Sequence, residues 1–179
     1  VSKVSVNLEQ MMSRKNKVVS QLTQGIAGLF KKNKIDHKQG FGSIVSANQV
    51  KVIGVKEEIL ETKNIMIATG SVVNTFPGME IDEKRILSST GALSIPEIPK
   101  HLIVIGAGVI GLELGSVWRR LGSEVTFIEF ADSCIPVMEK DLGKEIEKSL
   151  TKKGVKFSFK TAVQKITNTG KGVKISTKQ

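Results

Sequence analysis

HLIVIGAGVIGLELGSVWRRLGSEVTFIEF, residues His101 to Phe130, is the stretch around which the chain is organised. Leu102-Ile103-Val104-Ile105 is a short apolar run of the length of one buried parallel strand. Gly106-Ala107-Gly108-Val109-Ile110-Gly111 follows at once and fits the pattern GxGxxG. Val109, Leu112, Val117 and Leu121 then recur at helical spacing until Gly122 stops them. Val125 to Ile128 reads as a second strand, and Glu129 closes it eighteen residues past Gly111. Strand, glycine loop, helix and strand in this order predict a βαβ unit, and with it an α/β fold of the Rossmann kind.

Each residue type in the motif has a physical task. Gly106 permits the tight turn out of the strand, Gly108 lets a pyrophosphate approach the backbone, and Gly111 lets helix and strand pack closely. The helix start offers unpaired N–H groups and the positive end of its dipole. Glu129 is placed to accept hydrogen bonds from the adenosine ribose hydroxyls. A carboxylate there repels a 2′-phosphate, and no arginine follows in Phe130-Ala131-Asp132-Ser133, so the pattern favours NAD over NADP. A glycine turn required only for packing leaves Glu129 unexplained.

Upstream, Asn7 to Asn33 reads as one long helix, with Asn7 as its cap and Gln10 three residues on. Leu8, Met11, Met12, Val18, Val19, Leu22, Ile26, Leu29 and Phe30 form its apolar stripe, and the methionines read as core filling. Gly25 and Gly28 weaken a helix, which suggests close approach to a neighbouring backbone. After Gly40-Phe41-Gly42 come three β-like pieces, Ser43 to Val45, Gln49 to Val55 and Glu58 to Glu61, read as a small antiparallel meander. Asn64 to Ala68 reads as an apolar strand ending in the small-residue loop Thr69-Gly70-Ser71. Ser88 to Gly91, with Pro96 and Pro99, reads as a crossover into a new unit. Beyond the central stretch, Asp141 to Lys153 reads as a helix stopped by Gly154. Val155, Phe157 and Phe159 alternate as in a strand, and Ala162 to Ile166 and Gly172 to Ser176 read as two further strands joined by a turn around Asn168 to Gly170.

The chain has 179 residues, 40% of them apolar and 25% charged, an ordinary globular balance. No apolar run has the length of a membrane span, so membrane insertion is not expected. No secretory or transit pattern opens the chain, and Val1 in place of methionine suggests a processed product or a piece of a longer protein. The net charge of +10 is scattered and tyrosine is lacking, so no aromatic and basic platform for nucleic acid is expected. Cys134 is the single cysteine, which excludes an intrachain disulfide. It reads as a loop or packing residue. His37 and His101 have no carboxylate or cysteine at useful spacing, so neither receives a catalytic role, and no metal site is expected.

IVIGAGVIGLELGSVWRRLGSEVTFIEF, preceded by ILSSTGALSIPEIPK, IMIATGS and GFGSI, resembles the dihydrolipoyl dehydrogenase family of the flavoprotein disulfide reductases, class I pyridine nucleotide-disulfide oxidoreductases. The resemblance covers nearly the whole chain. It implies Rossmann-like domains for FAD and NAD, with residues 1–87 the later part of the FAD domain and residues 88–179 an incomplete NAD domain. It implies FAD contacts at Gly42, Thr69, Gly70 and Ser71. NAD contacts are implied at Gly106, Ala107, Gly108, Val109, Ile110, Gly111, Leu112, Glu113, Glu129 and Val163. It also implies a mitochondrial homodimer that passes electrons from protein-bound dihydrolipoamide through a redox disulfide and FAD to NAD. The lipoyl-bearing subunits of 2-oxo acid dehydrogenase complexes and of the glycine cleavage system would be its partners. The STGAL and GSVWRRLG stretches and Glu129 argue against mercuric or glutathione reductase. The family's first GxGxxG, its CxxxxC pair and its C-terminal His and Glu are not in this sequence, so no catalytic residue is expected in the chain itself. The alternative is a truncated, non-catalytic module that binds a nucleotide or a partner.

Overall fold

A computed structural model describes residues 5–178. The chain divides into two compact units, Ser13–Val72 and Val1–Met12 with Val73–Gln179.

The first unit holds most of helix α1 (Leu8–Lys32) and the meander of β1 (Phe41–Ser46), β2 (Gln49–Ile53) and β3 (Glu57–Glu61). The helix begins where the sequence predicts, since the Gln10 N–H donates to Asn7 Oδ1 at 2.9 Å. Lys31 and Lys32 lie in its last turn, where a cation suits the dipole. The expected burial of its apolar stripe is not found, for no described residue of α1 is buried and Leu22 is 66% exposed. Nor does a backbone lie near Gly25 or Gly28, where an added Cβ would meet nothing within 4 Å. Apolar periodicity tells which face of a helix seeks cover, and no described element supplies that cover here.

The three strands pair antiparallel, with Phe41 opposite Ile53 and Gln49 opposite Glu61. The expected strand at Asn64–Ala68 is absent: these residues join no ladder, and Met66 is 90% exposed. A strand exists only through hydrogen bonds to a neighbour, and no described segment lies alongside this one.

The second unit contains the Rossmann stretch. Short helix α2 (Ser89–Ala92) opens it, capped by Ser88, whose Oγ accepts from the Thr90 and Gly91 N–H groups. β4 (His101–Ile105), α3 (Val109–Leu121), β5 (Glu124–Ile128), α4 (Lys140–Lys152) and β6 (Lys156–Ser158) follow, and the strands form a parallel sheet in the order β4-β5-β6. The register sets Ile105 beside Ile128 and Thr126 beside Lys156. β5 is central and carries buried Val125, Phe127 and Ile128. β4 is half-buried, unlike the fully buried strand predicted: Leu102 and Val104 join the core, while Ile103 and Ile105 stay on an open face. The core gathers Ala107, Leu112, Val125, Phe127, Cys134, Ile135, Leu150 and Val155.

The inward stripe of α3 also differs from the predicted one. Leu112, Gly115 and Trp118 are buried, whereas Val109 is 56% exposed. A Cβ on Gly115 would lie 2.5 Å from Phe127 Cζ, so the helix rests on β5 at a residue that hydrophobicity does not reveal. Gly122, at φ 114°, ends the helix.

β7 (Ala162–Asn168) and β8 (Val173–Lys178) make an antiparallel hairpin, as expected, with a register shift between Val163 and Lys165. Asn168 Nδ2 donates to Asp82 Oδ2 at 2.9 Å. The N–H groups of Ile86, Arg85 and Lys84 also donate to Asp82 and hold its carboxyl well below the usual range.

Candidate functional site

β4 delivers the chain into Gly106, whose φ of +93° is costly for any residue with a Cβ. The Gly106 N–H donates to Ile128 O at 2.8 Å, which ties the turn to the end of β5. Gly108 caps α3 in an extended conformation, and no side chain satisfies the first turn. The Leu112 N–H finds Gly108 O at 3.0 Å, leaving the N–H groups of Val109, Ile110 and Gly111 at the open start of the helix.

The glycines of the motif divide into two kinds. A Cβ on Gly106 or Gly108 would meet nothing within 4 Å, so this side of the loop is open. A Cβ on Gly111 would lie 2.7 Å from Gly106 O and 3.0 Å from Val104 Cγ1, so this side is closed. Open backbone, free donors and a positive helix end together fit a pyrophosphate.

Glu129 stands at the end of β5, and its carboxylate reaches the same loop. The Ala107 N–H donates to Glu129 Oε2 at 2.7 Å, and the Ala131 N–H donates to Oε1 at 2.7 Å. The Ile135 N–H donates to Ala107 O at 3.0 Å. Ile135 is buried with φ 41°, an unfavourable conformation for a β-branched residue, held here by that bond and by the core. Its neighbour Cys134 is free and buried. Burial first, then the Glu147 and Glu129 carboxylates, push its thiol up to about 11, so it is no nucleophile near neutral pH.

The structure thus brings Gly106, Ala107, Gly108, Gly111 and Glu129 together at the C-terminal ends of β4 and β5. Val109, Ile110 and Glu113 are exposed on the first turns of α3, and Leu112 faces the core. Val163 lies on β7 opposite Thr177. In the other unit, Gly42 pairs with Val52 in the meander. Thr69, Gly70 and Ser71 are exposed in irregular backbone, with Gly70 at φ 73°, and no hydrogen bond links them to Gly42. Sequence reasoning missed Gly115 and Trp118, whose Nε1–H donates to Ala92 O at 3.1 Å. The only signal for Gly115 was its place one helical turn after Gly111.

A parallel βαβ unit with an open glycine at the helix start and a carboxylate ending the second strand defines a dinucleotide-binding protein of the Rossmann class. The pyridine nucleotide-disulphide oxidoreductase family model matches residues 2–179, and the chain belongs to that family. It is 51% identical over 178 residues to a mitochondrial dihydrolipoyl dehydrogenase of Pisum sativum, covering 98% of this chain and 36% of that protein. It is 52% identical to a leghemoglobin reductase of Vigna unguiculata, covering 98% of this chain and 34% of that protein. Among solved structures, LpdA of Mycobacterium tuberculosis superposes with a TM-score of 0.89 at 23% identity, covering 98% of this chain and 40% of that one. The HOCl-induced flavoprotein disulfide reductase RclA of Escherichia coli gives 0.81 at 28% identity, covering 96% and 39%. The chain spans about a third of the length of the curated relatives it matches.

Proposed function

We propose that this chain is a segment of a dihydrolipoyl dehydrogenase, a homodimeric mitochondrial flavoenzyme that oxidises protein-bound dihydrolipoamide with NAD as acceptor. In that reading residues 1–87 belong to the FAD domain and residues 88–179 to the NAD domain. The lipoyl-bearing subunits of the 2-oxo acid dehydrogenase complexes and of the glycine cleavage system are the partners. The redox disulfide and its base stand outside these residues, since Cys134 is the sole cysteine and is buried. The observation that carries the reading is the open backbone at Gly108 beside the Glu129 carboxylate.

The bound nucleotide supplies the hydride-accepting ring, and this chain's residues hold the rest of the molecule. The first-turn N–H groups of α3 donate to the pyrophosphate, Gly108 leaves room for it, and Glu129 accepts from the adenosine ribose. Gly42 and Thr69 to Ser71 would meet FAD, as the family likeness implies. The test is calorimetric titration of NADH and NADPH into the protein, before and after Glu129→Arg. The expected result is preference for NADH, lost or reversed in the variant. An unchanged preference removes Glu129 from the ribose role. The protein's intact mass in its native source separates the enzyme segment from a stand-alone nucleotide-binding module: more than twice 19.4 kDa supports the former.

A further inference from the structure

Glu129 does more at this site than face a ribose. Its backbone is fully committed, since its N–H donates to Ser158 O at 2.9 Å and its carbonyl accepts from the Thr161 N–H at 2.9 Å. The side chain therefore leaves a fixed point at the C-terminal end of the central strand. From there one carboxylate oxygen takes the Ala107 N–H and the other the Ala131 N–H. Ala107 is fully buried between the two open glycines, and its remaining polar atom accepts from Ile135. Among the described residues, the bond that Glu129 accepts is the only side-chain contribution to the hydrogen bonds that hold Gly106 and Ala107.

We propose that Glu129 is a positioning residue for the phosphate loop, shaping the Gly106–Gly108 turn for pyrophosphate before any nucleotide arrives. The inference rests on the dinucleotide reading above and extends it. A carboxylate has about four acceptor sites. Two are taken by backbone N–H groups, and two remain for a pair of ribose hydroxyls, so both roles are held at once. Glutamine cannot substitute, because its amide nitrogen would turn a donor toward either the Ala107 or the Ala131 N–H. Aspartate keeps the charge and shortens the reach.

Two measurements on the full-length protein test this. The first is amide hydrogen exchange without ligand, in the parent, Glu129→Gln and Glu129→Asp. The expected result is exchange faster by about tenfold, the loss of one hydrogen bond, at Ala107 in Glu129→Asp and at either Ala107 or Ala131 in Glu129→Gln, with Leu112 and Phe127 unchanged. The second is binding of NADH and of its 2′,3′-dideoxyadenosine analogue. A ribose-only role predicts that the analogue binds the parent and both variants alike, or binds the Gln variant better because a negative charge has gone. The positioning role predicts that the analogue binds the Asp variant several-fold more weakly. Unchanged exchange at Ala107 in Glu129→Asp, or equal or tighter binding of the analogue by that variant, overturns the proposal. If Glu129→Gln does not fold, Glu129→Asp carries both measurements. If the parent binds neither nucleotide, the dinucleotide reading fails, while the exchange at Ala107 still reports whether the carboxylate holds the turn.

Discussion

Gly115→Ala tests whether the seat of α3 on the sheet is as close as the structure shows. The new methyl carbon would lie 2.5 Å from Phe127 Cζ and 3.1 Å from Cε2. Carbon atoms in contact prefer about 3.5–4.0 Å, so ring or helix must retreat by roughly 1 Å. The ring has little freedom: Phe127 is fully buried and stacks on Phe157 at 5.1 Å, which stacks on Phe159 at 5.4 Å. Overpacking of this kind costs about 1–3 kcal/mol, and replacing a helical glycine by alanine returns about 1 kcal/mol. The expected net destabilisation is up to about 2 kcal/mol, a fall in Tm of up to roughly 8 °C for a chain of this size. Thermal unfolding followed by circular dichroism measures it. The same substitution placed in a Phe127→Leu background should cost less, because the colliding ring atom is gone, and a double-mutant cycle gives the coupling. A Gly115→Ala protein more stable than its parent, or an equal change in both backgrounds, would refute the close seat.

Gly108→Ala should show the opposite balance. Nothing lies within 4 Å of its added Cβ, so stability should fall by less than about 1 kcal/mol, the cost of a poorer cap, while NADH binding in calorimetry is lost. Ser123→Ala should raise stability by up to about 1 kcal/mol in denaturant unfolding, because Ser123 Oγ is buried with no partner among the described residues. Cys134 should resist alkylation at pH 8 until the protein is unfolded. Its thiol is raised from 9.0 to about 11 in the fold, so the folded state retains the proton longer than the unfolded chain does. Its contribution to stability should therefore be complete below about pH 9 and fade as pH climbs through 11, an effect absent from Cys134→Ala in pH-dependent unfolding.

Much of the second unit was legible in residues 101–130, because a glycine loop between two apolar strands admits few local structures. The order of strand, helix and strand, the helix stop at Gly122 and the carboxylate after β5 all follow from residue type and spacing. The hairpin and the cap of α1 were equally readable, since turn residues and Asn7 act on their immediate neighbours, whereas the Ser88 cap of α2 was not, its residues reading only as a crossover. What spacing cannot express is which face meets which. The sequence marks α1 as amphipathic and Asn64–Ala68 as strand-like, yet neither finds a partner in the described chain. It marks Val109 as inward, but Gly115 takes the contact with Phe127 because only a residue without a side chain fits there. Likewise the sequence places Glu129 at the right distance for a ribose. That its two oxygens hold the Ala107 and Ala131 N–H groups was decided by the parallel register of β4 and β5, which sets Ile105 beside Ile128 and so brings residue 129 against the loop. Local chemistry is written along the chain, whereas these contacts join residues far apart in it and exist only once the strands have paired.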